Sequence, residues 1–206
     1  MEKQYQPLYL YPIWIRLWHI LNALLCLTLI ITGLSIQFSN PSLAVRFKMA
    51  VAIHNVAGVT LSLNYLIFFL GNLFTSNGIF YVIEVKGFFK RLKRQFHFYT
   101  IGVFHGETAP FPVTGDSKFN PLQQMSYVAI MYVILPLLIF SGIGLLYPEI
   151  TVNSLIGISG LDYTDLLHLA CGFFVTIFMF VHIYFCTFGK TFWSNFKSII
   201  DGYHKS

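Results

Sequence analysis

The fold of this chain is decided by the segment from Tyr163 to Gly189, YTDLLHLACGFFVTIFMFVHIYFCTFG. The segment is apolar over about the 20 residues that a helix needs to cross a bilayer, yet it contains His168 and His182. On an α-helix their spacing is within about 40° of four whole turns and separates the two rings by roughly 21 Å along the axis. One helix therefore presents two imidazoles on a single face, one near each surface of a membrane.

Ionisable side chains at such depth are costly and usually mark a functional site. A neutral imidazole in that setting most often serves as a metal ligand, and a haem held by two histidines is the leading candidate. Because a haem of this kind needs two axial ligands, the segment predicts partner histidines at matching depths elsewhere in the chain.

The composition predicts an integral membrane protein with a single domain over residues 1–206. The chain is 56% hydrophobic and only 10% charged, whereas soluble domains average about 25% charged residues. Its net charge of +5 does not indicate nucleic-acid binding, because the basic residues of a membrane protein set its orientation. The three cysteines lie in apolar runs, which suits packing thiols, and no CxxCH sequence occurs, so any haem is expected to be noncovalent.

Four segments are long enough to span a bilayer, at about 13–36, 50–74, 123–147 and 163–187. An even number of spans places both termini on one side. Eleven of the thirteen basic residues fall on that side, which predicts cytoplasmic termini in a multi-pass protein of the bacterial inner membrane. These eleven are Lys3, Arg16, Lys86, Lys90, Arg91, Lys93, Arg94, Lys118, Lys190, Lys197 and Lys205. The two on the opposite side are Arg46 and Lys48.

Between the second and third spans, residues 81–99 read YVIEVKGFFKRLKRQFHFY. The mixture of phenylalanines and bases indicates an amphipathic helix in the headgroup region; a solvated basic loop is the alternative. The predicted fold class is therefore all-α, an integral membrane four-helix bundle with an additional cytoplasmic interfacial amphipathic helix.

The partner histidines are found at the predicted depths. His19 lies near the cytoplasmic end of the first span, as His182 does in the fourth, and His54 lies near the outer end of the second span, as His168 does in the fourth. We therefore expect an inner pair, His19 with His182, and an outer pair, His54 with His168. The histidines outside the spans are interpreted as surface residues: His97, His105 and His204.

Glycines accompany these histidines. Gly58 and Gly172 each follow an outer histidine by four residues, and Gly33 shares the face of His19 at the depth of the outer pair. Glycine lets a backbone withdraw where a porphyrin passes, so these three are candidate cofactor-binding residues. Ordinary close packing of helices is the alternative at each position. The third span offers Gly142 and Gly144 at the same depth.

Arg16 lies one turn before His19. Its guanidinium could bind the propionates of an inner haem, or it could be a basic flank that only sets orientation.

Four stretches of this sequence resemble the di-haem cytochrome b subunits of bacterial respiratory complexes, such as the formate dehydrogenase gamma subunit and the thiosulfate reductase cytochrome b. They are RLWHILN, HNVAG, KFNPLQQ and HLACGFFVTIFMFVHIY. The FHGETAPF loop and KFNPLQQ make the thiosulfate reductase type the most similar. The resemblance implies two noncovalent b haems, with the four matching histidines as their axial ligands.

The resemblance also implies a menaquinone or ubiquinone site at the cytoplasmic edge, beside the inner haem. The matching residue is Asn120, in the sequence Lys118-Phe119-Asn120 with Gln123 three positions on. The formate dehydrogenase relatives have a glycine two places after this asparagine, where this chain has Leu122. An asparagine followed by proline is also a typical helix N-cap, so a capping role stays open.

From these features we expect an electron-transfer subunit without a catalytic site of its own. It would link the quinone to a periplasmic redox partner, either a molybdenum and iron–sulfur enzyme or a multihaem cytochrome c. One alternative is a free-standing di-haem cytochrome b that oxidises superoxide or quinol. Another is a transporter or scaffold whose histidines bind protons or metal ions.

Overall fold

The computed structural model describes residues 7–38, 46–151, 153–189 and 191–204. Four helices within these ranges are long and apolar enough to cross a membrane: Ile13–Phe38, Phe47–Phe74, Pro121–Leu146 and Gly160–Cys186. They confirm the all-α membrane bundle, and each lies within three residues of its predicted bounds. Lys3, Lys190 and Lys205, which entered the prediction of orientation, lie outside the described residues.

The third and fourth spans begin earlier than predicted because each is preceded by a capping side chain. Asn120 accepts hydrogen bonds from the backbone N–H groups of Leu122 and Gln123, so its helix starts at Pro121. Ser159 Oγ accepts from the N–H of Leu161 at 3.2 Å, so its helix starts at Gly160. Both caps satisfy N–H groups that would otherwise lack partners.

The third span changes its helical repeat in the middle. An α-helix over Pro121–Ala129 passes into a π-helical turn over Ile130–Ile134, and α-helix resumes over Leu135–Leu146. Pro136 follows this turn and has no N–H to donate to the preceding turn, which explains a break in the regular ladder here. The turn rotates the outer half of the span relative to its inner half.

The bundle consists of two helical hairpins. The first span packs along the second and the third along the fourth, with far fewer close backbone approaches between the hairpins. A core at the inner half joins them, and its members are Ile15, Trp18, Leu61, Phe68, Met131 and Leu135. Trp18 stacks on Phe68 with ring centroids 4.5 Å apart and donates its indole N–H to Asn64 O at 2.9 Å.

The predicted amphipathic helix is present over Phe88–Thr100. It begins after Gly87, whose φ of +70° favours glycine. Gln95 on one side is buried at 2% exposure, whereas Phe89 and Phe96 on the other are 82% and 60% exposed. Exposed phenylalanines among lysines suit a helix that lies in the headgroup layer.

Short 3-10 helices connect the longer elements, at Ser76–Tyr81, Gly102–His105 and Pro148–Ile150. Strands Ser154–Leu155 and Ile158–Ser159 form a small hairpin before the fourth span. Near the ends of the chain, strand Leu8–Tyr9 pairs antiparallel with Tyr203–His204, after the helix Ser194–Asp201. This pairing holds the two described ends of the chain together at one end of the bundle.

Candidate metal centres

The fold brings together the two histidine pairs expected from depth. The ring centroids of His19 and His182 lie 6.1 Å apart, between the first and fourth spans. Those of His54 and His168 lie 6.2 Å apart, between the second and fourth spans. All four side chains are half-buried. The two pairs are separated along the fourth span by fourteen residues, roughly 21 Å of helix rise.

These separations suit two imidazoles that bind one metal ion from opposite sides. Each ring centre lies about 3 Å from the metal, which is a metal–nitrogen bond of about 2 Å plus the distance from that nitrogen to the centre of its ring. Two rings on opposite sides of the metal therefore have centroids about 6 Å apart. Among the described residues, no group of three or more His, Cys, Asp or Glu is arranged to hold a metal ion. Two protein ligands per centre suit a haem, whose porphyrin supplies the other four nitrogens.

The tautomer of His54 follows from its hydrogen bonds. The Thr32 hydroxyl donates to Thr28 O at 2.7 Å, one helical turn back, so its oxygen has only lone pairs left for the His54 Nδ1 atom at 2.9 Å. Nδ1 therefore carries the proton and donates, and it also bonds the Leu29 carbonyl. Nε2 is left unprotonated, which is the form that ligates a metal.

His168 is held in the same way from the third span. The Ser141 hydroxyl donates to Leu137 O at 2.7 Å, and its oxygen lies 3.0 Å from His168 Nδ1. Nδ1 is also 3.1 Å from Leu138 O. Both histidines of the outer pair thus donate Nδ1–H to a hydroxyl and a carbonyl on a facing helix, and both leave Nε2 free to bind a metal.

The glycines divide into two groups. A Cβ added at Gly33 would lie 3.4 Å from His54 Cε1, and one at Gly142 would lie 3.1 Å from His168 Cε1. These two glycines therefore make room for the histidine rings. A Cβ at Gly58 would meet no protein atom within 4 Å, and one at Gly172 would only touch Leu138 at 4.0 Å. Open space beside both outer histidines is what a flat ligand between the helices requires.

The inner pair has fewer polar contacts. The hydroxyl of Tyr127 lies 3.4 Å from His182 Nδ1, and the ring of Phe178 stacks on His182 with centroids 5.6 Å apart. No hydrogen bond to the His19 side chain occurs within the described parts of the chain. One turn after His19, the buried Oδ1 atom of Asn22 also has no hydrogen-bond partner among the described residues. The inner site therefore contains a polar atom without a hydrogen bond from those residues.

Arg16, one turn before His19, is half-buried and points toward the C-terminal helix. Its Nε donates to Ile199 O at 3.3 Å. This bond ties the guanidinium to the end of the bundle where strands Leu8–Tyr9 and Tyr203–His204 pair, beside the inner pair.

Asn120 forms a complete capping box. Its Oδ1 accepts from two backbone N–H groups, its own N–H donates to Gln123 Oε1 at 3.1 Å, and its Nδ2 donates to the Tyr99 hydroxyl at 2.8 Å. Burial raises the pKa of Tyr99. The asparagine side chain thus caps the first turn of the third span and binds the interfacial helix through Tyr99. This is the capping alternative left open above.

Lys118, two residues earlier, is the more available donor. Its Nζ donates to Asn77 Oδ1 at 3.2 Å and lies 4.0 Å from the centroid of the Phe80 ring. Burial lowers its pKa. It lines a cavity of about 420 Å³ together with Asn77, Phe80 and Trp14.

Sequence reasoning missed the residues that hold the histidines, above all Thr32, Ser141 and Tyr127. A signal for the first two is present. Residues 29–34 read LIITGL and residues 138–143 read LIFSGI, while HNVAG at 54–58 parallels HLACG at 168–172. Each hairpin repeats the same hydroxyl–glycine step on one helix and the same histidine–glycine spacing on the next.

Four membrane helices that carry two opposed histidine pairs at two depths define a membrane cytochrome b, which carries electrons through the bilayer. Comparison with known proteins agrees. The family model described as prokaryotic cytochrome b561 matches residues 10–202, so this chain belongs to that family and is a haem b protein of the bacterial inner membrane. It is also 42% identical over 201 residues to the candidate cytochrome YdhU of Escherichia coli (strain K12), covering 97% of this chain and 76% of that protein.

Proposed function

We propose that this chain is the di-haem membrane subunit of a quinone-linked respiratory complex. In this proposal His19 and His182 hold the inner haem, and His54 and His168 hold the outer one. The bias of eleven basic residues against two supports placing the inner pair and both termini at the cytoplasmic side. Within the cytochrome b561 family, the proposal assigns the chain to the thiosulfate reductase and formate dehydrogenase gamma type that its motifs resemble.

The observation that carries the proposal is the geometry of the two pairs. The ring centroids are 6.1 Å apart in the inner pair and 6.2 Å apart in the outer pair. Both pairs include one histidine of the fourth span, whose rise separates them by roughly 21 Å. Bound there, two haems supply reversible one-electron chemistry on both sides of the low-dielectric core. The chain's own residues fix the ligand rings, exclude water and provide the space between the hairpins.

A quinone at the cytoplasmic edge completes one half of the pathway. Because Asn120 is engaged in its capping box, we assign the contact with a quinone carbonyl to Lys118. Its ammonium is partly desolvated and faces a cavity with aromatic walls formed by Phe80 and Trp14. Phe119, the next residue, contacts the Tyr127 ring at 4.8 Å between centroids, and Tyr127 in turn contacts His182. The residue next to Lys118 is thus connected to the inner pair by packed aromatic rings.

The other half of the pathway is a redox partner on the periplasmic face, either a molybdenum and iron–sulfur enzyme or a multihaem cytochrome c. The outer pair lies near an acidic surface at this end of the bundle, formed by Glu149 in the connection between the third and fourth spans and Asp162 in the first turn of the fourth span. This acidic surface is where we expect the partner to dock.

A haem measurement on the purified full-length protein tests the proposal. We expect a reduced-minus-oxidised spectrum of a b-type cytochrome, with two haems per chain by pyridine haemochrome. Replacing His168 by alanine should remove one of the two, whereas His97→Ala, in the exposed interfacial helix, should remove none. A colourless protein would refute the proposal and favour a histidine-based transporter. A stoichiometric periplasmic subunit on purification would separate the complex from a free-standing cytochrome.

A further inference from the structure

The two ligands of the outer pair are held by a repeated structural unit, which we call the histidine cradle. In the first span it consists of the Leu29 carbonyl, the Thr32 hydroxyl and Gly33 around His54. In the third span it consists of the Leu138 carbonyl, the Ser141 hydroxyl and Gly142 around His168. The spacing from carbonyl to hydroxyl to glycine is the same in both.

The cradle changes the electronic character of the ligands. An imidazole that donates its second N–H to good acceptors becomes a more basic ligand, and a more basic ligand stabilises ferric over ferrous iron. Hydrogen bonds to the second nitrogen of a ligating imidazole are a recognised control of haem potentials. The outer pair has such acceptors on both rings. Among the described residues, the inner pair has two long contacts, both to His182: the Tyr127 hydroxyl lies 3.4 Å from Nδ1, and Cys186 Sγ lies 3.8 Å from Nε2.

Charges next to the ligands act in the same direction. Asp165 lies three residues before His168 and interacts with it electrostatically. Arg16 lies three residues before His19, in the corresponding position of the inner pair. A nearby carboxylate favours the more positive ferric state, and a nearby guanidinium disfavours it. Hydrogen bonding and charge therefore both lower the potential at the outer site relative to the inner one.

We propose that Thr32 and Ser141 are positioning residues that make the outer haem the lower-potential cofactor of the two. The inference rests on the proposed function and adds the two hydroxyl groups that set the potential of one haem relative to the other.

Redox titration of the purified, haem-loaded full chain tests this inference. The wild type should titrate in two steps. Thr32→Val and Ser141→Ala each remove one acceptor and should shift the lower-potential step upward, with the upper step unchanged. Thr32→Ser and Ser141→Thr retain the hydroxyl and should restore the wild-type titration. The matched control is Thr28→Val, since Thr28 makes the same bond to its own helix, to Leu24 O at 2.9 Å.

The outcomes separate this inference from the proposed function. If the valine and alanine variants shift the upper step, or shift neither step while keeping both haems, the inference is wrong although the protein remains a di-haem cytochrome. If one haem is lost from both of these variants and kept in the serine and threonine variants, the cradle is supported as the device that positions the ligands. A chain that binds no haem at all would instead refute the proposed function.

Discussion

Replacing Gly142 by alanine should weaken the outer haem site through the ring of His168. The new Cβ would lie 3.1 Å from Cε1 and 3.6 Å from Nδ1 of that ring, whereas packed carbon atoms prefer about 3.5–4.0 Å. The ring must therefore move away by about 0.5 Å. That movement disturbs its two hydrogen bonds, at 3.0 Å to Ser141 and 3.1 Å to Leu138 O.

The expected size follows from those two bonds. At about 0.5–1.5 kcal/mol each, their loss amounts to about 1–3 kcal/mol, or roughly 5- to 150-fold in haem affinity. The rate at which the purified protein loses haem to apomyoglobin measures this effect, with haem content per chain recorded at the start. Two variants calibrate it. Gly33→Ala, whose Cβ meets His54 at 3.4 Å, should have a smaller effect, and Gly115→Ala, with no atom within 4 Å, should have none.

The reasoning would be refuted if Gly142→Ala kept both haems with wild-type loss kinetics. It would also be refuted if Gly33→Ala were the more damaging of the two, because the ranking depends only on the two Cβ distances.

Three further predictions concern residues around the sites. Gly172→Leu places a side chain in open space, so haem content should fall while helicity by circular dichroism is retained; unchanged haem content would mean that this glycine does not border the cofactor. Asn120→Ala removes a capping box and should cost about 1 kcal/mol of stability, seen as a lower Tm with two haems still bound; loss of haem would contradict a purely structural cap. Burial lowers the pKa of Lys118 in the folded protein below the usual 10.5, so folding is penalised while this side chain is charged. Stability should therefore rise with pH between the lowered pKa of the folded protein and the 10.5 of the unfolded chain. Lys118→Met should abolish this rise in thermal melts at alkaline pH, and a variant that keeps the wild-type pH profile would contradict the prediction.

The sequence by itself determined the membrane bundle and the depths of its histidines. Both are local properties: about 20 apolar residues suffice to span a bilayer, and the helical repeat fixes which residues share a face. His168 and His182 could therefore be placed on one face, at two depths, without knowledge of any neighbouring helix. Asn120 followed by Pro121 was likewise readable as a cap, because a cap involves only its own chain segment.

Only the tertiary structure decided what surrounds each ring. The acceptors for His54 come from the first span and those for His168 from the third, and such partners depend on the rotation of one helix against another. In the third span that rotation includes a π-helical turn, which no apolar pattern indicates. Gly33 was expected to border a porphyrin, and only the structure places it against the ring of His54, because helical spacing gives the face of a residue but not the side chain that packs against it.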